Sequence, residues 1–70
     1  MNAVTEETLI GEIVYNHPEA IEVLMNIGMH CLGCPASQAE SLADACAVHG
    51  LEPSVVVEAI NRRIAAAAAN

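Results

Sequence analysis

Pro18-Glu19-Ala20-Ile21-Glu22-Val23-Leu24-Met25-Asn26-Ile27-Gly28 opens with the residue best suited to a first helical position and closes with the one best suited to a left-handed cap. Ile21, Leu24 and Met25 recur at helical spacing, so the stretch predicts a short helix that buries this stripe. Met29-His30-Cys31-Leu32-Gly33-Cys34-Pro35 follows directly. Pro35 favours extended backbone at Cys34 and itself suits a first helical position, which makes Cys34 the expected N-cap of a short helix over 35–40. A Cys-x-x-Cys loop is thereby set between a glycine-stopped helix and a proline-started one.

Working outward, Leu9, Ile10, Ile13 and Val14 recur at helical spacing behind Thr8, the expected N-cap, and the pattern stops at Asn16-His17-Pro18. On the other side, Ser41 with Asp44 resembles a capping box that opens a helix carrying Leu42, Ala45 and Cys46. Gly50 closes it. Pro53 starts a last helix with Val56, Ala59, Ile60 and Ile64 on its apolar face and Glu58 to Arg62 as a favourable i,i+4 pair. Residues 65–69 are alanine, which reads either as a further helical turn or as a frayed tail. The sum is an all-α fold: a compact array of about five short helices in a single domain over 1–70, with its core in 4–64. Composition agrees, because 54% of the chain is hydrophobic while Tyr15 is its one aromatic residue, and Ala, Val, Ile and Leu favour packed helices over a sheet.

A chain of 70 residues sits near the size at which one core is only marginally stabilising, so a cross-link, a metal or assembly into a homo-oligomer would add support. The formal net charge of -7 repels phosphate backbones and anionic lipid. Neither nucleic acid nor membrane is therefore an expected partner, and a protein or small molecule is. Glu6, Glu7, Glu12 and Glu19 interrupt the start of the chain, which fits neither a secretory signal nor a spanning helix and places the protein in the cytoplasm. In a reducing cytosol, three cysteines point away from structural disulfides and toward redox, catalytic or metal-binding duty.

Cys31 and Cys34 are the candidate catalytic residues. Thiol–disulfide exchange needs a thiolate and a second thiol close enough to resolve the mixed disulfide, and two intervening residues meet that need. A cysteine at a helix N-terminus has its thiolate favoured by free backbone N–H groups, which makes Cys34 the attacking thiol and Cys31 the resolving one. The thioredoxin arrangement reverses these roles, so both assignments stay open. His30, when protonated, would lower a neighbouring thiol pKa, and otherwise reads as a solvated loop residue. A competing constellation is Cys31, Cys34, Cys46 and His49, in which the last two lie at i,i+3 on one helix, compatible with tetrahedral zinc. Cys46 equally reads as a small core residue beside Leu42 and Ala45, and His49 as a residue favoured at a helix C-terminus. An iron–sulfur cluster shared between two Cys-x-x-Cys pairs is a further alternative. No cofactor and no metal ligand is assigned. His17 reads as a turn residue, Tyr15 as a packing residue, and Met25 and Met29 as core filler. The sequence has no nucleophilic triad, phosphate-binding glycine loop or basic patch.

The run from Ile21 to Met25, Gly28-Met29-His30-Cys31-Leu32-Gly33-Cys34, Glu40-Ser41-Leu42 and Ala47-Val48-His49-Gly50 occur together in one order. In this the chain resembles the hybrid-cluster-protein-associated redox disulfide domain family, over residues 4–61, and is similar also to the N-terminal domain of iron–sulfur cluster repair di-iron proteins. The resemblance implies an all-helical fold and a disulfide role for Cys31 and Cys34. It carries nothing onto Cys46. The leading expectation is a small thiol–disulfide redox protein, a disulfide oxidoreductase, whose partner is a redox protein or a metallocluster protein. The alternatives are a zinc or iron–sulfur module and a non-catalytic protein-interaction domain.

Overall fold

A computed structural model describes residues 4–29 and 35–68. The candidate pair Cys31 and Cys34, with His30, Leu32 and Gly33, lies outside the described residues, as does the expected N-cap role of Cys34. The helices are α1 (Ile10–Asn16), α2 (Ile21–Asn26), α3 (Pro35–Gln38), α4 (Leu42–Val48) and α5 (Pro53–Ala68), with a 3-10 turn over Pro18–Ala20 that runs into α2. The only extended pairing among the described residues is an isolated antiparallel bridge between Leu9 and Ser41. The all-α expectation therefore holds.

That bridge interlocks two helix starts. The first backbone N–H groups of an α-helix have no partner within it and must find one elsewhere. At α4, the Leu42 N–H donates to the Thr8 carbonyl and the Ala43 N–H to the Glu6 carbonyl, each at 2.8 Å. The Asp44 N–H donates to Ser41 Oγ at 3.1 Å, as the expected cap requires. At α1, the Ile10 N–H donates to the Glu40 carbonyl at 2.9 Å and the Leu9 N–H to Glu12 Oε1 at 3.2 Å. Leu9, not Thr8, is thus the N-cap of α1. Thr8 is committed elsewhere: its Oγ1 accepts from the Thr5 N–H at 2.9 Å and its carbonyl serves α4. α3 is correspondingly shorter than the expected 35–40, because Glu40 leaves the helix to reach Ile10.

One core joins all of this. Val4, Ile10, Ile13, Ala20, Leu24 and Met29 meet Leu42, Ala45, Cys46, Val56 and Ile60, every one of them buried. Three residues expected on apolar faces are exposed instead, Leu9 at 39% among them. Tyr15 is 87% exposed and Met25 46% exposed. α1 turns Ile10 and Ile13 inward, and Tyr15 stands roughly 200° around the helix from Ile13, at 3.6 residues per turn. On α2, Leu24 and the preceding Ala20 fill the space beneath the helix, while Met29 supplies the thioether that Met25 does not.

α5 spans the length of the core, with Val56 and Ile60 buried and Ile64 half-buried, and the alanine run continues it to Ala68. Glu58 and Arg62 pair at 2.6 Å. Both are exposed, so the pair contributes a few tenths of a kcal/mol at about the level of other i,i+4 pairs. Asn61 does more: its Oδ1 accepts from the Val4 N–H at 2.9 Å and its Nδ2 donates to the Val4 carbonyl at 3.0 Å, clamping the first described residue to the last helix. None of the described helices is long and apolar enough to cross a membrane.

Candidate functional site

The two ends of the cysteine segment are both fixed. At the end of α2, Gly28 adopts φ +101°, its N–H donates to the Met25 carbonyl at 3.1 Å, and the Met29 N–H reaches back to the Leu24 carbonyl at 3.0 Å. These two bonds make a Schellman cap, which also brings the apolar side chains of Met29 and Leu24 together in the core. Immediately after the segment, Pro35 begins α3, a single turn that buries no side chain and packs mainly on α1. The contact is close. A Cβ on Gly11 would lie 3.0 Å from Gln38 Cβ and 3.1 Å from the Gln38 carbonyl oxygen.

The same device ends α4. Gly50 has φ +69°, its N–H donates to the Ala47 carbonyl at 3.3 Å, and the Leu51 N–H to the Cys46 carbonyl at 2.8 Å. Both connections therefore run from a Schellman glycine through one apolar residue to a helix-starting proline. They differ in length. Gly28 and Pro35 are seven positions apart, Gly50 and Pro53 three, and the four additional residues of the first connection lie in the stretch that holds both Cys31 and Cys34. Neither Gly11 nor this paired construction was apparent from helical periodicity, although a glycine inside an apolar helical pattern is itself a sign of close packing.

Cys46 is a core residue. Its side chain is fully buried, and burial pushes its thiol above the ordinary value, with the Glu6 and Glu52 carboxylates adding to the push. A thiol held protonated is a poor nucleophile and a poor metal ligand. His49 is the C-cap of α4 and is exposed, so the two residues of the expected i,i+3 ligand pair face different surroundings. Among the described residues no group of three His, Cys, Asp or Glu side chains converges as a metal site would require. His17 occupies the turn between α1 and the 3-10 segment, with Nδ1 3.6 Å from Glu19 Oε2. None of the buried described residues is polar or charged.

The sequence matches the family described as a domain of unknown function (DUF1858) over residues 4–57, a span that includes both cysteines of the pair. The chain belongs to this family. The DUF1858 match ends within the first half of α5 and so leaves out Asn61 and the alanine turn. The fold is similar to the NMR solution structure of a protein from Clostridium thermocellum, at 39% identity over 84% of either chain with a TM-score of 0.72. No curated protein matches the chain.

Proposed function

We propose that this DUF1858 domain is a small cytoplasmic thiol–disulfide protein in which Cys31 and Cys34 interconvert between dithiol and disulfide. The observation that carries this is the unequal length of two otherwise parallel connections. The fold makes a Schellman-to-proline link with Leu51 and Glu52 alone, and the link that contains the cysteines is four residues longer. The additional length, in a stretch that holds two thiols, is what the reading assigns to chemistry. Two further facts support the reading. The described residues bury no polar or charged side chain that could serve an active site, and the third cysteine is sequestered where it cannot compete in exchange.

In the exchange, a thiolate of the pair attacks one sulfur of a partner disulfide, forming a mixed disulfide and releasing the other partner sulfur as a thiolate that takes up a proton. The second cysteine, deprotonated, then displaces the remaining partner thiol. The domain ends with a Cys31–Cys34 bond, and the partner gains two electrons and two protons. No metal or organic cofactor takes part. The resemblance to the hybrid-cluster-protein-associated redox disulfide domain supports the same role, and points to a metallocluster protein as the partner.

The test is equilibration of the anaerobically purified protein in glutathione buffers of graded potential, followed by thiol alkylation and intact-mass measurement. A transition that protects two thiols, mapped to Cys31 and Cys34, is expected. Failure to form that bond across the range refutes the reading. Stoichiometric zinc or iron that disappears in Cys31→Ser and Cys34→Ser would replace it with the metal-module alternative.

A further inference from the structure

We infer that the outer flank of α5 is a dimer interface, on which a second copy of this chain docks antiparallel about a two-fold axis. α5 packs on α4, the 3-10 turn and α2, with Val56 and Ile60 buried in the core. Roughly 110° around its axis, Val55, Ala59, Arg62 and Ala66 fall within an arc of about 60°, at the alternating four- and three-residue spacing of a helix–helix seam. Little of the monomer covers this strip. Val55 is 64% exposed, Arg62 and Ala66 are exposed, and Ala59 is half-buried.

The strip is complementary to itself. In an antiparallel pair centred between positions 60 and 61, Val55 lies level with the second copy's Ala66, and Arg62 with the second copy's Ala59. Each long side chain meets a small one, twice over by symmetry, which is the alternation that lets two helices interdigitate. Glu58 borders the strip one residue, about 1.5 Å, from Ala59, so each Arg62 that crosses the seam reaches the second copy's Glu58 as well as its own. The result is a ring of four alternating charges, and networks are the case in which exposed ion pairs add measurably. Charge also selects this face over the others. The chain carries -7, and both of its basic residues, Arg62 and Arg63, stand in the half of α5 over 59–68 that holds no acid. Arg63 is turned inward, to the Glu19 carbonyl and Glu22, which leaves Arg62 for the seam. The remaining surface carries the excess of carboxylates, so two copies meeting there repel.

The test is sedimentation equilibrium under a thiol reductant, which keeps any disulfide from joining copies. Wild type is expected to shift from 7.3 kDa toward twice that mass between about 10 µM and about 1 mM, since one helix pair makes a small and reversible interface. Glu58→Arg and Arg62→Glu each place like charges across the seam and weaken the dimer about tenfold or more. Ala66→Glu, which sets a carboxylate against the second copy's Val55, does the same. Mixing Glu58→Arg with Arg62→Glu restores association, because every contact across the seam then joins opposite charges. The internal Glu58–Arg62 pair stays broken in both variants, so its loss cannot account for the recovery. A wild type that remains at 7.3 kDa overturns the proposal and leaves the face to a different protein. A dimer that all three substitutions leave intact places the interface elsewhere, and a mixture no heavier than its components refutes the antiparallel register. Should a variant fail to fold by circular dichroism, the wild type decides: on dilution the amide resonances of Val55, Ala59, Arg62 and Ala66 move if this seam opens, and unmoved resonances refute it.

Discussion

Replacing Cys46 by serine distinguishes a core thiol from a site thiol. The side chain is fully buried beside Leu42 and Ala45 in a cluster that includes Val4 and Ile60. Serine keeps the shape and introduces a hydroxyl, and an unpaired hydroxyl in such surroundings costs about 1–3 kcal/mol. Within a helix the new hydroxyl can turn back to the carbonyl four residues earlier, here Leu42, which places the loss toward the lower part of that range. Cys46→Ala adds no polar group and leaves only a small void, with a loss of about 1 kcal/mol by analogy with one buried methyl group. At about 4–8 °C per kcal/mol for a domain of this size, the serine variant melts roughly 5–15 °C below wild type and the alanine variant roughly 5 °C below. Far-ultraviolet circular dichroism follows the melt directly in an all-helical chain. The same two variants are then equilibrated with glutathione, where each retains the wild-type equilibrium constant within twofold. A tenfold change, or loss of a bound metal on substitution, would make Cys46 part of the site and refute its assignment to the core. A serine variant that melts with wild type would refute the burial argument itself.

Cys46 also gives stability a pH dependence. Its folded-state pKa is raised above the ordinary value of 9.0, so the folded state holds this proton more tightly than the unfolded state does. The associated stability is complete below pH 9 and is lost as pH rises toward the folded value, and urea midpoints of wild type and Cys46→Ala therefore converge on going from pH 8 to pH 10. Asn61→Ala removes both hydrogen bonds to Val4, worth about 2 kcal/mol together, and exposes the Val4 amide to exchange; unchanged urea midpoints would contradict the clamp. Gly28→Ala and Gly50→Ala each lose about 1 kcal/mol or more. Gly28, at φ +101°, lies farther from the left-handed well near +57° than Gly50 at +69°, so Gly28→Ala is the more destabilised, and the reverse order in urea would contradict the cap geometry.

What the sequence discloses and what it conceals follow from the range of the interactions involved. Caps are local, so Ser41 with Asp44, Gly28, Gly50 and the helix-starting prolines are read from neighbouring residues, and the structure keeps all of them. The inward face of a short helix is less local. α2 has six residues, and Leu24 and Met25 serve its apolar stripe about equally well; the choice of Leu24 is made by Ala20 and Met29, which already fill the adjacent core. Tyr15 is placed outside for the same reason, by Ile10 and Ile13 taking the inward positions. The Asn61 clamp joins positions 57 residues apart, and the Leu9–Ser41 bridge depends on two helix starts meeting in space, so neither leaves a periodic trace. Thr8 was a sound N-cap by residue type, and was displaced because its carbonyl was wanted by Leu42.

The cysteine pair is the opposite case, a signal present in the sequence that lies outside the described residues. Spacing alone makes Cys31 and Cys34 a moderate redox motif that structural, metal-binding and catalytic readings share. Once both glycines are seen to close the same cap, the two connections become comparable, and their different lengths become informative. A link that Leu51 and Glu52 accomplish alone sets how little chain the fold needs between a Schellman glycine and the next proline. The proposed redox role assigns the greater length of the other to the dithiol. The close fit of α3 on Gly11 adds a second constraint at the downstream end, where a methyl group would intrude. A segment that follows a Schellman cap and runs into a helix start packed on Gly11 is the setting in which the proposed dithiol would act.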